Sequence, residues 1–442
     1  MEIRAFRGWR YAGNELSKVI APPYDILALA DKQALLARDA DNIVAVDLPH
    51  VPPKEVGPDS EYQAAAGLLA KWKNSGVLKQ DSAPALYAYE QTFPWAGRTF
   101  TRRALLTGVR VTRLGEDVIP HEHTFAGPKA DRLKLTEYTR TQLSPIFGFY
   151  SDGGAAARAL WAAAAKVQPL TGELDGVTEK VWVVTDPKVI AEVTAALKKV
   201  PVFIADGHHR CTTTMNYRDA LKAAGKIDDN HEANFVLFAL VPQDDPGLLV
   251  LPTHRVVCGL KADFSMEKLA QAAKEFRWQR VQAKTEDFRD ADAFLRRYGR
   301  TAMGFICGTG SLPVRVSPVQ GDAEVWIATL QDSGAMAKAA PQELPVWREL
   351  DVAILHKLII DQALAPWKTA GTNIEYTPDG LKVLAACGEP AAAGAASPLG
   401  ICLQSTPLES VETIALAGAA MPHKSTYFYP KLATGIVLKP LE

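Results

Sequence analysis

The segment Ala205-Asp-Gly-His-His-Arg210 places an acid, a glycine, two imidazoles and a guanidinium within six residues. The run Val200-Pro-Val-Phe-Ile-Ala205 leads into it, and a helical pattern from Cys211 to Leu221, ended by Gly225, leads out. That order predicts a strand-to-helix turn. A helix N-terminus offers unsatisfied backbone N–H groups and partial positive charge to an anion. Gly207 admits the anion to the backbone, and His208, His209 and Arg210 add side-chain donors, the last with a fork suited to an oxyanion. Cations at this helix end oppose the dipole unless an anion offsets them, so a phosphate cradle is favoured over a structural cluster paired with Asp206 or other carboxylates. Asp206 and His208 are the candidate catalytic groups of this turn. Gly207, His209 and Arg210 are its candidate phosphate contacts.

A second constellation is Pro120-His-Glu-His-Thr-Phe-Ala-Gly-Pro-Lys-Ala-Asp-Arg-Leu-Lys134. His121 and His123 fall on one side of an extended segment, which suits metal ligation or contact with a polar substrate, although two histidines alone do not make a metal site. Lys129 and Arg132, three apart at the start of a helical pattern, can clamp a phosphate or a carboxylate; the plainer reading is a salt-bridged helix start. In Leu251-Pro-Thr-His-Arg255, His254 and Arg255 stand where a strand ends, a common place for site residues in α/β sheets. Asp25 closes the rigid turn Ile20-Ala-Pro-Pro-Tyr-Asp25 and is a base, a metal ligand or the cap of a helix from about Leu29. His423, Lys424, Ser425 and Thr426 form a donor-rich cluster able to meet an anion. His50, His231 and His356 lack such company and read as surface or core histidines.

Helical patterns alternate with short β-rich runs, and no repeat of fixed period is present, which predicts a mixed α/β architecture. Ala85 to Glu90 and Leu105 to Val111 alternate like half-buried strands, with a helix from Tyr62 to Lys73 that Gly76 ends. Ala155 to Lys166 is helical in composition, and Gly153-Gly154 before it marks a joint between domains. Lys180 to Thr185 is strand-like and Pro187 to Lys199 helical. Asn234 to Val241 and Gly247 to Leu251 are expected to form a hairpin around Gln243-Asp-Asp-Pro-Gly247. Two amphipathic helices are expected between Lys261 and Arg300, and a third from Leu350 to Leu364 before Pro366. Ala386 to Pro398 reads as a surface loop, and the chain closes on an apolar strand, Thr434 to Leu438. The domains expected are 1–152, mixed α/β; 153–260, the core with the Asp-Gly-His-His-Arg motif; and 261–442, an α/β region packing back on that core.

A chain of 442 residues with 48% apolar content can bury a large core. Lys and Arg total 49 against 50 Asp and Glu, so no field of one sign draws the chain to nucleic acid or an anionic membrane. Five scattered cysteines argue against a disulfide framework and suit a reducing cytosol. Neither a leader pattern at Met1 nor an apolar run of about 18 residues is found, so a cytoplasmic protein is expected.

Ile20 to Asp25, Gly127 to Arg132, Ser144-Pro-Ile-Phe-Gly148, Ile204 to Arg210, Leu251 to Arg255 and Met421 to Lys431 together resemble the bacterial and archaeal family of domain of unknown function 1015, from near Ile3 to about Leu438. The Asp-Gly-His-His-Arg element is also similar to the nucleotide-binding signature of the ParB and sulfiredoxin superfamily, which includes free-serine kinases. That resemblance implies a ParB/sulfiredoxin-like core in which His209 and Arg210 contact nucleotide phosphates. Sulfiredoxins carry a reactive cysteine where this chain has His208, so the resemblance points to the kinase branch.

The leading expectation is a phosphotransferase that uses ATP or ADP with Mg²⁺ on a small hydroxylated metabolite, free serine by analogy. Asp206 or Asp25 would then accept the hydroxyl proton or hold the metal, with His121, His123, His254, Arg255, Lys424 and Ser425 toward the substrate. No Gly-x-x-x-x-Gly-Lys-Ser/Thr loop is present, which disfavours a P-loop ATPase. Two other classes stay open: a metal-dependent phosphoesterase or nuclease built on His121, His123, Asp206, His208 and His209, and a nucleotide-binding regulator without catalysis.

Overall fold

The computed structural model describes residues 1–53, 55–111, 113–122, 126–308, 322–332, 334–388 and 395–442. The chain is α/β with mixed sheets, and it divides into two compact units, Met1–Leu249 with Pro430–Glu442, and Val250–Tyr429. No helix among the described residues is long and apolar enough to cross a membrane.

The first unit is built on a mixed sheet with nine strands among the described residues: β1 (Ile3–Arg4), β2 (Leu86–Trp95), β3 (Arg98–Arg110), β4 (Val118–Ile119), β5 (Ile146–Tyr150), β6 (Leu170–Leu174), β7 (Val177–Val184), β8 (Val202–Asp206) and β9 (Phe235–Pro242). Their spatial order is β4-β8-β5-β9-β3-β2-β7-β6, with β1 on β3. Two tight hairpins organise one half. Ala96-Gly97 joins β2 to β3 and Asp175-Gly176 joins β6 to β7, each pair at positive φ, the twist a two-residue hairpin loop needs.

The expected hairpin after Asn234 is corrected by this sheet. All eight residues of β9 are buried, and both its edges are taken, by β3 antiparallel and by β5 parallel, so no edge remains for Gly247 to Leu251. A continuous apolar run is what a strand covered on both faces requires.

The helices that matter for the site are α1 (Asp59–Ser75), α2 (Ala126–Thr139), α3 (Ala155–Ala164), α4 (Pro187–Leu197) and α5 (His208–Ala223). Gly76, at φ 82°, ends α1 in the left-handed conformation a C-terminal glycine provides. Asp186 caps α4 by accepting the Lys188 N–H at 2.8 Å, with Pro187 at the first helical position. Leu160 of α3, Leu197 of α4 and Cys211 of α5 share a core with Val109, Ile146, Ile204 and Leu240 of the sheet. Each such side chain contributes roughly 1.5–3 kcal/mol by leaving water. Gly153 and Gly154, expected to mark a joint between domains, lie inside this unit as the turn from β5 into α3, both at positive φ.

The second unit holds an antiparallel sheet ordered Phe276–Lys284, Asp322–Leu330, Met303–Cys307, Leu399–Cys402, His254–Cys258, Asn373–Thr377. Between Lys261 and Arg300 the two expected helices are only Met266–Ala272 and Ala291–Arg296, separated by the strand Phe276–Lys284. Along this edge strand Phe276 and Ala283 are buried while Arg277, Arg280, Gln282 and Lys284 are exposed, and charged residues set among apolar ones read as a helix face in the sequence. The helix expected from Leu350 begins at Asp351 and continues as a π-helix over Leu355–Ala363, before the Ala365–Trp367 turn. The surface loop expected at Ala386 to Pro398 lies partly outside the described residues. Thr434 to Leu438 is buried but not a strand: it touches Ala21 and Trp9 by isolated bridges.

Candidate functional site

β8 ends at Asp206, α5 starts at His208, and Gly207 between them is the N-cap at φ 95°. Gly207 has no side chain with which to cap this helix, and the first turn holds no acidic residue, an arrangement suited to an anion at its leading N–H groups. A Cβ at Gly207 would lie 3.1 Å from both Arg210 Nη2 and Ile146 Cδ1. Glycine is thus required twice, for the left-handed backbone and for the room in which Arg210 folds back.

Arg210 uses that room. Its Nη2 donates to Asp206 Oδ2 at 2.8 Å, and its Nη1 to Ser144 Oγ at 3.1 Å and the Pro145 carbonyl at 2.6 Å. The other carboxylate oxygen, Asp206 Oδ1, accepts from Lys431 Nζ at 2.5 Å. Burial alone would raise the Asp206 carboxyl, but Lys431 and Arg210 outweigh it and hold the group below the usual carboxylate range. Asp206 is therefore an ionised clamp for two cations.

His208 is buried and its Nε2 accepts the His121 backbone N–H at 3.3 Å, the two rings meeting edge to face at 4.7 Å. A neutral imidazole that accepts at Nε2 carries its proton on Nδ1, which here lies 3.7 Å from Glu122 Oε2. Burial and the neighbouring His121 push His208 well below its ordinary value, against the pull of Asp206. Burial likewise takes His121 down to about 4, with the Ile204 backbone and Asp206 opposing. Both rings are neutral at pH 7, so His208 brings a positioning contact to the turn and no charge. His209 stands half-buried in the first turn of α5. His123 lies outside the described residues.

Arg132 on α2 is buried and paired with carboxylates through Nε and Nη1, while its Nη2 has no hydrogen-bond partner among the described residues. Its Nε donates to Asp131 Oδ2 at 2.8 Å and its Nη1 to the Asp47 carbonyl at 2.6 Å and Asp47 Oδ1 at 3.3 Å, while the guanidinium covers the Tyr24 ring at 3.8 Å. Burial would lower its pKa, yet Asp47 and Asp131 raise it. Lys129 is half-buried on the same helix, its carbonyl 3.5 Å from Thr213 Oγ1 of α5. Asp47, Arg132, Ser144 and Arg210 line one cavity of about 50 Å³, room for a few water-sized groups. Three motifs distant in sequence thus meet. Asp25 is exposed on the turn Tyr24–Ile26, and it and Arg210 both act on Tyr24 and Asp47. It does not cap the next helix: Ala28 holds that place, with Asp31 accepting the Ala28 N–H at 2.8 Å.

The remaining candidates belong to the second unit. His254 Nδ1 accepts the Leu403 N–H at 3.1 Å, and burial, then Arg255, takes the ring down to about 3. Arg255 donates to the Thr253 carbonyl and, at 3.1 Å, to the Lys424 carbonyl. Lys424 is exposed, whereas Ser425 is buried with its hydroxyl on the Pro422 carbonyl. Among the described residues no group of three or more His, Cys, Asp or Glu is placed to hold a metal ion.

The model of the family described as protein of unknown function DUF1015 matches residues 3–353. The chain belongs to that family. In this DUF1015 chain the match takes in the turn at Asp206 but stops short of Lys431, the cation that clamps it. No curated protein matches the chain. Among solved structures it is similar to SbnI with C-terminal truncation from Staphylococcus aureus, at 10% identity, TM-score 0.33, over 76% of this chain and 87% of that one. A mutant free serine kinase in complex with ADP gives 10% identity and TM-score 0.30 over 75% and 92%. A conserved hypothetical protein from Pyrococcus furiosus gives 13% identity and TM-score 0.30 over 73% and 93%. TM-scores this low fix neither the fold nor the chemistry of this chain.

Lys431, Ser144, Glu122, Asp47 and Asp131 are the site neighbours that local sequence reading missed. Lys431 ended a donor-rich segment but stands 225 residues from Asp206, and spacing carries no signal at that range.

Proposed function

We propose that this protein is a nucleotide-dependent phosphotransferase that acts on a small hydroxylated metabolite, with ATP or ADP and Mg²⁺ at the α5 N-terminus. The observation that carries this reading is the glycine-led helix start at Gly207, flanked by two cations that Asp206 holds in place. The donor set suits phosphate: backbone N–H groups of the first turn and the Lys431 ammonium. The nucleotide would supply the transferable phosphoryl group, and Mg²⁺ would neutralise its charge.

His209 and Lys129 are the side chains we assign to the nucleotide phosphates. Arg210 and Arg132 support them from behind, since their guanidinium groups are bound to Asp206 and to Asp47 with Asp131. Asp206 orients cations. Asp25, exposed and acting like Arg210 on Tyr24, is the carboxylate we assign as proton acceptor or metal ligand. A ParB/sulfiredoxin-like core and the free-serine acceptor are part of this reading.

Purified protein incubated with labelled ATP or ADP and a metabolite mixture is expected to transfer label to an acceptor. Absence of transfer together with absence of nucleotide binding by calorimetry would reject the proposal. A second reading, a nucleotide-binding regulator, draws on one specific feature: both Asp206 oxygens and the His208 Nε2 are occupied, so neither of these two groups is open as a base. Binding without turnover, indifferent to any acceptor, favours that second reading.

A further inference from the structure

Three neighbouring strands carry polar residues at one register position. Glu179 on β7 stands opposite Gln91 on β2, and Gln91 stands opposite Arg102 on β3. Each is 1% exposed. The row is bonded side to side: Gln91 Nε2 donates to Glu179 Oε1 at 3.0 Å, and Arg102 Nη2 donates to Gln91 Oε1. The amide thus turns its donor to the carboxylate and its acceptor to the guanidinium. Tyr89 closes the far end, its hydroxyl donating to Glu179 Oε2 at 2.7 Å.

Two further bonds leave the row and end on consecutive carbonyls. Arg102 Nη2 donates to the Pro430 carbonyl at 2.7 Å, and Gln91 Nε2 lies 3.2 Å from the Lys431 carbonyl, across 340 residues of chain. The side chain of that same Lys431 is the one on Asp206. A charged row through the middle of a sheet is expensive, and apolar residues of similar size would stabilise the sheet as well or better. Its cost shows in the titration of its members. Burial takes Glu179 up to about 7, with Tyr89, Gln91 and Arg102 opposing, and takes Arg102 down to about 10. Such a row calls for a reason beyond stability.

We propose that the Glu179–Gln91–Arg102 row is a positioning device that fixes the backbone at Pro430–Lys431 and so sets the Lys431 ammonium against Asp206 beside the α5 N-terminus. Lys431 is then the cation that meets a bound phosphate, a consequence that rests on the phosphotransferase reading. Glu179, Gln91 and Arg102 act through it and touch no substrate. The geometry explains why a lysine beyond the matched family region can hold a fixed place in the site: the chain returns to the sheet and is gripped at two successive peptide groups.

The test uses the full chain with ¹⁵N-labelled lysine side chains, the Lys431 Nζ resonance being assigned by its loss in Lys431→Arg. Gln91→Leu is expected to move or broaden that resonance and to raise the Kd for ADP about tenfold, the loss of one charge-assisted contact. Thr92→Val removes the neighbouring Thr92–Thr101 hydroxyl pair, 3.2 Å apart on the same two strands, and is expected to leave the resonance in place. A Gln91→Leu protein that melts earlier but keeps the wild-type Lys431 resonance overturns the proposal, because the row is then only structural. If Gln91→Leu does not fold, Glu179→Gln takes its place, with a smaller displacement of the same resonance expected and an unmoved resonance again decisive against it. Failure of the wild-type chain to bind ADP would sink the phosphotransferase reading, while the Lys431 resonance would still decide the positioning claim.

Discussion

Arg132 in the first unit and Arg255 in the second are both buried arginines from recognisable motifs, and their electrostatics run in opposite directions. Arg132 meets two carboxylates, Asp131 and Asp47, and its pKa rises in spite of burial. Arg255 meets backbone carbonyls and His356 Nε2 at 3.4 Å, and burial takes it down to about 10 although Asp351 pulls the other way. No carboxylate lies within ion-pair distance of it among the described residues. Burial costs both guanidinium groups the same kind of hydration energy; the counter-charge decides what remains. The two regions therefore differ in what a substitution leaves behind.

Arg132→Met gives the largest expected effect. It strands Asp47 and Asp131 in a dry environment, which costs about 3–5 kcal/mol, measurable by urea unfolding. Adding Asp47→Asn should recover part of the loss, since the uncompensated charge and not the missing side chain carries most of it. If Arg132→Met costs no more than the matching change at Arg255, the contrast between the regions is wrong.

Acid sharpens the comparison next, because each unit holds two lowered histidines and at least one raised carboxyl. His121 at about 4 and His208 lie below their ordinary value in the first unit, as do His254 at about 3 and His356 at about 4 in the second. A lowered histidine is neutral when folded and takes up a proton on unfolding, so its contribution is complete above about pH 6.5 and is lost as pH falls toward 4. Glu179 at about 7 and Asp351 at about 6 have the opposite sign, because they release protons on unfolding. Asp47 and Asp245 are raised by burial too, so the carboxyls offset the four histidines in part, and stability is expected to fall as pH drops from 7 to 5. Urea unfolding between pH 7 and 5 measures this slope. A flat profile would show that the raised carboxyls cancel the histidines.

How far the sequence reveals these two regions follows from the range of the contacts. The strand-to-helix turn at Asp206 was legible because everything that makes it a turn lies within about ten residues: a β-rich run, Gly207 and a helical pattern. The α/β class and the helices capped by Asp186 and Gly76 were legible for the same reason. The site chemistry was not. That Asp206 is clamped by Lys431, that His208 is neutral against His121, and that Arg132 is balanced by Asp47 depend on partners 225, 87 and 85 residues away. The hairpin expected after β9 failed on the same ground, since turn chemistry at Asp245-Pro-Gly247 is local but the edges of β9 are claimed by β3 and β5. His254 and Arg255 looked like site residues at a strand end and are instead buried where a strand begins, a distinction that only the pairing with Leu399–Cys402 and Asn373–Thr377 makes.

The smallest of the expected effects is also the one that bears most directly on the contrast. Arg255→Met removes a buried cation that has carbonyls rather than carboxylates as hydrogen-bond acceptors, so no ionised partner in contact is left stranded. Its cost is that of unsatisfied acceptors at Thr253 and Lys424, about 1–3 kcal/mol, offset in part by the hydration energy a methionine never has to lose. Urea unfolding should therefore place Arg255→Met between the wild type and Arg132→Met. Asp351 supplies the internal check. Arg255 helps to keep its carboxyl from rising further, so the substitution should move the Asp351 titration above its present value of about 6. A ¹³C-carboxyl titration that stays put would mean that the two groups do not sense each other, and the second unit would then be holding an arginine for which hydrogen-bonded carbonyls alone suffice.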